Sequence, residues 1–134
     1  NPTTKVVAKE GVKTEAVEIT WAKLRHTWFP ADSNVQNIIN YAYKLGGMDF
    51  VYVLECENWS YRLDSVGDHG HAHGLCQMND RYHKDIPADY TTNRKVAVEY
   101  CYSKWKGWTK FYWPSRRIKG QTCSNYVKSR FRFE

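Results

Sequence analysis

Apolar positions recur with helical spacing in three stretches of the chain, and residues that commonly bound helices flank each stretch. Ser33 can cap the first helix, with Gln36 as its capping-box partner, and the Gly46–Gly47 pair can end it. Asp49 can cap a second helix that runs to Glu57. The apolar positions of these two stretches are Val35, Ile38, Ile39, Ala42, Leu45, Phe50, Val53 and Leu54.

A third apolar stretch predicts another helix, and the segment before it predicts a small β region. Thr92 or Asn93 can cap this helix, and a glycine can end it. Residues 58–73 are rich in turn residues, which favours a loop or a short β-hairpin. We therefore expect residues 31–134 to form one mainly α domain of the α+β type with a small β-hairpin. Residues 1–30 should form an N-terminal arm that packs on that domain.

Composition and charge are those of a folded, basic domain. The 134 residues are 42% apolar and 25% charged, with a formal net charge of +6, which suits one domain of ordinary size. A basic surface attracts polyanions, so nucleic acid, anionic membrane and bacterial cell wall are all compatible with the charge. The sequence has no run of 18 apolar residues, so we expect no membrane span.

The cysteines favour disulfides over a redox motif or a zinc site. Cys56, Cys76, Cys101 and Cys123 contain no C-x-x-C pair. An even number of widely spaced cysteines is typical of proteins from an oxidising compartment, and four reduced core thiols are the alternative. Four cysteines allow three pairings, and the sequence selects none of them.

One glutamate, at the end of the second apolar stripe, has the setting of a general acid. Glu57 continues the stripe of Phe50, Val53 and Leu54, so its side chain should face the core or a cleft. Apolar surroundings and the negative end of a helix dipole both raise the pKa of a carboxyl group. Cleavage of a glycosidic bond requires such a protonated acid. Glu55 is the alternative, but it lies roughly opposite on the helix and should be more solvated.

The segment that follows this glutamate resembles a known family of cell-wall enzymes. Cys56-Glu57-Asn58, the turn Gly67-Asp68-His69-Gly70 and the run Gly74-Leu75-Cys76-Gln77 are similar to motifs of soluble lytic transglycosylases and goose-type lysozymes. The resemblance covers about residues 35–106. It implies a lysozyme-like fold and cleavage of the β-1,4 bond between N-acetylmuramic acid and N-acetylglucosamine. The family uses neither a cofactor nor a metal for this reaction, and we expect none here.

The resemblance also implies roles for individual residues. Glu57 matches the catalytic acid/base, and Asn58 stands beside the cleft where the family usually has serine. Gly74 would let the glycan approach the backbone closely, and Gln77 would line the sugar site. Tyr112, in the aromatic loop after the third helix, is our preferred additional glycan contact.

The reaction type depends on a second carboxylate. A hydrolase needs one to hold water or to stabilise the cation, and Asp68 is the first candidate, with Asp64 second. A transglycosylase needs only the single acid, and Asp68 is equally well explained as a turn residue. In either case we expect a secreted, periplasmic or phage-borne monomer that acts on peptidoglycan and does not bind nucleic acid.

Two other functions compete with this prediction. His69, His71 and His73 alternate along the chain, so on a strand they would share one face and could hold a metal for a hydrolase. Asp68 and His83 could complete that site. Alternatively, exposed aromatic rings and basic charge would suit a non-enzymatic module that binds glycan or polyanions.

Overall fold

The computed structural model describes residues 2–8, 15–21 and 23–134, the first two ranges as strands. The described helices are α1 (Asn34–Glu57), α2 (Arg94–Lys106) and α3 (Cys123–Tyr126). The described strands are β1 (Pro2–Ala8), β2 (Glu15–Trp21), β3 (Leu24–His26), β4 (Val66–Gly67), β5 (Ala72–His73), β6 (Met78–Asn79), β7 (Arg117–Ile118), β8 (Gln121–Thr122) and β9 (Phe131–Phe133). The strands pair antiparallel as β1-β2, β3-β9, β4-β5-β6 and β7-β8. Helices with small antiparallel sheets make the mixed α+β fold that the sequence predicts.

Helix α1 joins the two helices predicted from the first two apolar stripes. The Ser33 hydroxyl caps it by accepting a hydrogen bond from the Gln36 backbone N–H at 3.3 Å, as predicted. Helical geometry is interrupted at Gly47, where φ is 71°. The other two predicted capping roles are wrong. The Gln36 amide donates to the His26 carbonyl oxygen at 2.9 Å, and Asp49 lies inside α1 because the helix resumes directly after the kink.

The core forms where α1 and α2 meet. The side chain of Asn93, one of the two predicted candidates, caps α2 by accepting from the Val96 N–H at 3.2 Å. The helix ends at Lys106, and Gly107 is its C-cap, which confirms the predicted glycine stop. Leu75 and Tyr90 pack into the same cluster from outside the two helices. The helix residues buried there are Ile38, Ile39, Ala42, Phe50, Val51, Leu54, Ala97, Val98, Tyr100 and Cys101. Removal of this apolar surface from water is the main stabilisation of the domain.

Strands β3 and β9 hold the first and last parts of the domain against α1. Leu24 pairs with Phe133, and His26 with Phe131. The Asn40 side chain ties β3 to α1, since it accepts from the Leu24 N–H at 3.0 Å and donates to the Leu24 carbonyl oxygen at 3.1 Å. β3 belongs to the predicted arm of residues 1–30, whose side chains up to residue 22 lie outside the described residues.

Two disulfides join the elements that surround the end of α1. Cys56 is bonded to Cys123, which attaches α1 to α3. Cys76 is bonded to Cys101, which attaches the turn between β5 and β6 to α2. The predicted disulfides are thus confirmed, and they are typical of a protein from an oxidising compartment. Among the helices described, none is long and apolar enough to cross a membrane.

Candidate active site

The carboxyl group of Glu57 lies at the end of α1 in a partly buried position. Its Oε2 accepts a hydrogen bond from the Trp113 backbone N–H at 3.1 Å. Loss of solvent raises the pKa of Glu57 to about 7, and the Trp113 hydrogen bond offsets only part of that rise. At neutral pH the group is therefore divided between acid and base, which is the state that proton transfer in both directions requires.

An aromatic loop covers one side of this carboxyl group. The loop makes a single 3₁₀ turn at Trp113–Ser115, which presents the Trp113 N–H to Glu57. The Tyr112 and Trp113 rings meet edge to face at 5.4 Å, and the Arg116 guanidinium lies 5.4 Å from the centre of each. Tyr112 is exposed and lies next to the residue that contacts the acid, so it is accessible to a ligand there.

The turn between β5 and β6 is held by Tyr90. The buried Tyr90 hydroxyl donates to the His73 carbonyl oxygen at 2.8 Å and accepts from the Cys76 N–H at 3.2 Å. Burial raises the pKa of Tyr90, and the negative charge of Glu57 adds to that rise. The charge of Glu57 thus acts on the residue that holds this turn, but in the described part of the chain no hydrogen bond joins Glu57 to Tyr90 or to the Gly74–Gln77 turn.

The role predicted for Gly74 is replaced by a packing role. Its φ of 72° favours glycine. A Cβ there would lie 2.4 Å from a ring carbon of Tyr90, so the space beside the backbone is filled by a side chain. The close approach inferred from the family resemblance is made by Tyr90, and not by the glycan.

Asn58 is also internal, contrary to the expected position beside the cleft. Its side chain is buried, and its amide nitrogen donates to the carbonyl oxygens of Arg62 at 2.8 Å and Gly74 at 3.2 Å. Its oxygen accepts from the hydroxyl groups of Ser60 at 2.8 Å and Ser65 at 3.4 Å. Because these bonds use the whole amide, Asn58 ties the end of α1 to the β-hairpin.

Gln77 is partly exposed and holds the same hairpin together. Its amide nitrogen donates to the carbonyl oxygens of Gly74 at 2.9 Å and Ser65 at 3.2 Å. Its φ of 53° places it in a tight turn. The backbone bonds fix the orientation of the side chain, and its contact with a glycan stays a prediction.

Asp68 is exposed and already paired with neighbours in the hairpin. Its Oδ2 accepts from Asn79 and from Arg81, each at 2.9 Å. Asp64, the second candidate, is exposed and pairs with Arg62 at 3.2 Å. None of the described contacts of either aspartate reaches Glu57, so neither candidate is paired with the acid.

The expectation for Glu55 was wrong, because this residue is the more buried of the two glutamates. His26 Nε2 lies 3.0 Å from both of its oxygens, and Tyr61 and Arg130 donate to it at 2.6 Å each. Burial acts to raise the pKa of Glu55, but the hydrogen bonds from these three partners outweigh it and lower the pKa. Glu55 is therefore an ionised structural anchor and not a proton donor.

The three histidines do not share one face. His69 lies in a turn with φ of 55°, which breaks the strand alternation. His71 and His73 instead bracket Asp80, whose carboxylate oxygens lie 2.9 Å from His71 Nδ1 and 2.7 Å from His73 Nε2. In the parts of the chain that the structure describes, no group of three or more His, Cys, Asp or Glu residues could hold a metal ion.

The sequence did not indicate the residues of other segments that contact the candidate site residues and the histidines. Tyr90, Asp80 and the backbone of Trp113 carried no motif, and their roles depend on which segments meet in space.

Comparison with known proteins found no matching family model, no matching curated protein and no matching solved structure.

Proposed function

We propose that this protein cleaves the glycan strand of peptidoglycan at the β-1,4 bond between N-acetylmuramic acid and N-acetylglucosamine, with Glu57 as the general acid/base. The observation that carries the proposal is the partly buried Glu57 carboxyl group with a pKa of about 7. It accepts a hydrogen bond from the aromatic loop, and the hairpin that follows it along the chain has motifs that resemble those of lytic transglycosylases. A carboxylic acid in that state can donate a proton to a glycosidic oxygen at neutral pH.

In the proposed reaction Glu57 acts twice. Its carboxyl O–H first donates the proton to the glycosidic oxygen while the bond from that oxygen to the anomeric carbon breaks, and the leaving sugar departs as an alcohol. The Glu57 carboxylate then removes a proton from the incoming nucleophile, which forms the new bond to the anomeric carbon. The nucleophile is water in a hydrolase and a hydroxyl group of the same sugar in a transglycosylase.

The environment of Asp68 favours the transglycosylase route. Its carboxylate is engaged by Asn79 and Arg81, and a hydrolase would need a second carboxyl group close to the scissile bond. Mass analysis of the muropeptide products tests this choice. Anhydro ends are expected, whereas reducing ends would show that water is the nucleophile.

The decisive variant is Glu57→Gln, which keeps the shape of the side chain and removes its proton chemistry. We expect lysis of a cell-wall suspension to fall by about 10²–10⁴-fold, with the far-UV circular dichroism spectrum unchanged. Glu99→Gln, which changes an exposed glutamate on α2, is the matched control and should lyse like the parent. Activity of the parent should decline above about pH 7 as Glu57 loses its proton.

A glycan-binding module without catalysis is the second candidate, because several tryptophans are strongly exposed. Under that function Glu57→Gln would bind peptidoglycan as the parent does, and neither protein would release muropeptides. A metal-dependent hydrolase would instead lose activity with a chelator, and we expect no such loss. Secreted or periplasmic placement and a monomeric state belong to the same proposal.

A further inference from the structure

Three exposed tryptophans surround one groove beside the end of α1. Trp28, Trp59 and Trp113 are 56%, 64% and 44% exposed, and all three line a groove of about 430 Å³ that we call the tryptophan groove. Ile118 and Val127 also line it. Its volume falls in the range of about 300–1,000 Å³ that is usual for small-molecule sites.

The exposure of these rings is not explained by packing within the chain. Large apolar surfaces gathered at one place on a protein generally mark a binding site. Trp59 has no ring or cation partner among residues 23–134, whereas Arg130 covers Trp28 at 4.0 Å. Trp59 therefore offers an indole face to a ligand without first losing a contact.

The charges of the groove select an uncharged ligand. The charged side chains that line it are Glu55 and Arg130, which are joined at 2.6 Å. Because these two charges offset each other, the described residues that line the groove contribute no net charge to attract a polyanion. A flat, neutral, partly apolar ligand fits better, and the CH face of a pyranose ring has this character.

Glu57 itself does not line the groove, but its hydrogen-bond donor Trp113 does. Trp113 donates its backbone N–H to Glu57 at 3.1 Å and is 44% exposed at the groove that it lines. Trp59 follows Glu57 by two positions and lines the same groove. A polymer held at Glu57 can therefore extend over Trp113 into the groove.

We propose that the tryptophan groove binds uncharged N-acetylhexosamine units of the glycan strand next to the bond held at Glu57, with Trp59 as the stacking residue. The inference rests on the proposed function, since it assigns neighbouring saccharides to the same site. It makes the protein selective for strands longer than the pair of sugars at the acid.

The test uses isothermal titration of the Glu57→Gln protein with β-1,4-linked N-acetylglucosamine dimer and hexamer. Adding Trp59→Ala should weaken hexamer binding about tenfold, as expected for loss of one stacked ring, and leave dimer binding unchanged. Trp59→Tyr should restore most of the affinity, because it keeps an aromatic face. Trp108→Ala, which removes a 91% exposed ring that lines a different groove, is the matched control and should have no effect.

Unchanged hexamer binding in Trp59→Ala would overturn the inference, as would an equal loss for dimer and hexamer. Absence of hexamer binding to the Glu57→Gln protein would also overturn it. The proposed function is judged separately, by whether Glu57→Gln abolishes cell-wall lysis in protein with an intact groove. A failure of the inference can therefore be distinguished from a failure of the proposed function.

Discussion

Replacing Glu57 by glutamine should stabilise the protein at alkaline pH and leave its stability unchanged in acid. The folded protein raises the pKa of this carboxyl group from 4.5 to about 7. A carboxyl group whose pKa is raised by folding contributes full stability below its unfolded pKa, and that contribution is lost as the pH rises through the folded pKa. Since each tenfold change in proton affinity corresponds to about 1.4 kcal/mol, the loss is at most roughly 3 kcal/mol above pH 8.

The measurement is guanidinium chloride unfolding of the parent and of Glu57→Gln at pH 4 and pH 8.5, with the disulfides intact. The free energies of unfolding should agree at pH 4, where the parent carboxyl group is neutral like glutamine. At pH 8.5 the variant should be more stable by up to roughly 3 kcal/mol. Asp32→Asn, at an exposed site, controls for removal of one negative charge. An equal difference between parent and Glu57→Gln at both pH values would refute the reasoning.

Two further substitutions test the contacts around the candidate site. Arg130→Met should lower the free energy of unfolding by about 3–5 kcal/mol, because it removes an ion-pair partner from the buried Glu55 carboxylate; a loss under 1 kcal/mol in chemical unfolding would contradict this. Gly74→Ala should destabilise more than Gly120→Ala, since both have positive φ but only Gly74 places the new methyl group against Tyr90. Thermal unfolding measures both variants, and equal losses of stability would show that the Tyr90 ring moves to accommodate the new methyl group.

Features that depend on neighbouring residues could be predicted from the sequence. The caps at Ser33 and Asn93 and the break at Gly47 were predicted correctly, because the side chain or the glycine acts within one helical turn. The hairpin after α1 was predicted from its turn residues for the same reason. The even number and wide spacing of the cysteines indicated the disulfides, but which cysteines pair could be seen only in the folded structure.

Features that depend on distant segments could not be predicted in this way. Gly74 was assigned to a ligand because its partner, Tyr90, is separated from it by a loop that carries no pattern. Asn58 was placed beside a cleft, although its bonds to Arg62 and Gly74 bury it. The sequence shows which residues are polar, whereas the fold decides whether other parts of the chain already satisfy them.

The two glutamates at the end of α1 show how such partners separate structural from chemical roles. Burial acts to raise the pKa of both Glu55 and Glu57. Glu55 receives hydrogen bonds from His26, 29 residues away, and from Arg130, 75 residues away, as well as from Tyr61. Among residues 23–134, Glu57 receives one hydrogen bond, from the Trp113 backbone N–H.

The number and charge of these donors therefore decide which carboxyl group keeps its proton near neutrality. It follows that a cation introduced beside Glu57 would convert it into a second ionised anchor, with its pKa lowered as that of Glu55 is.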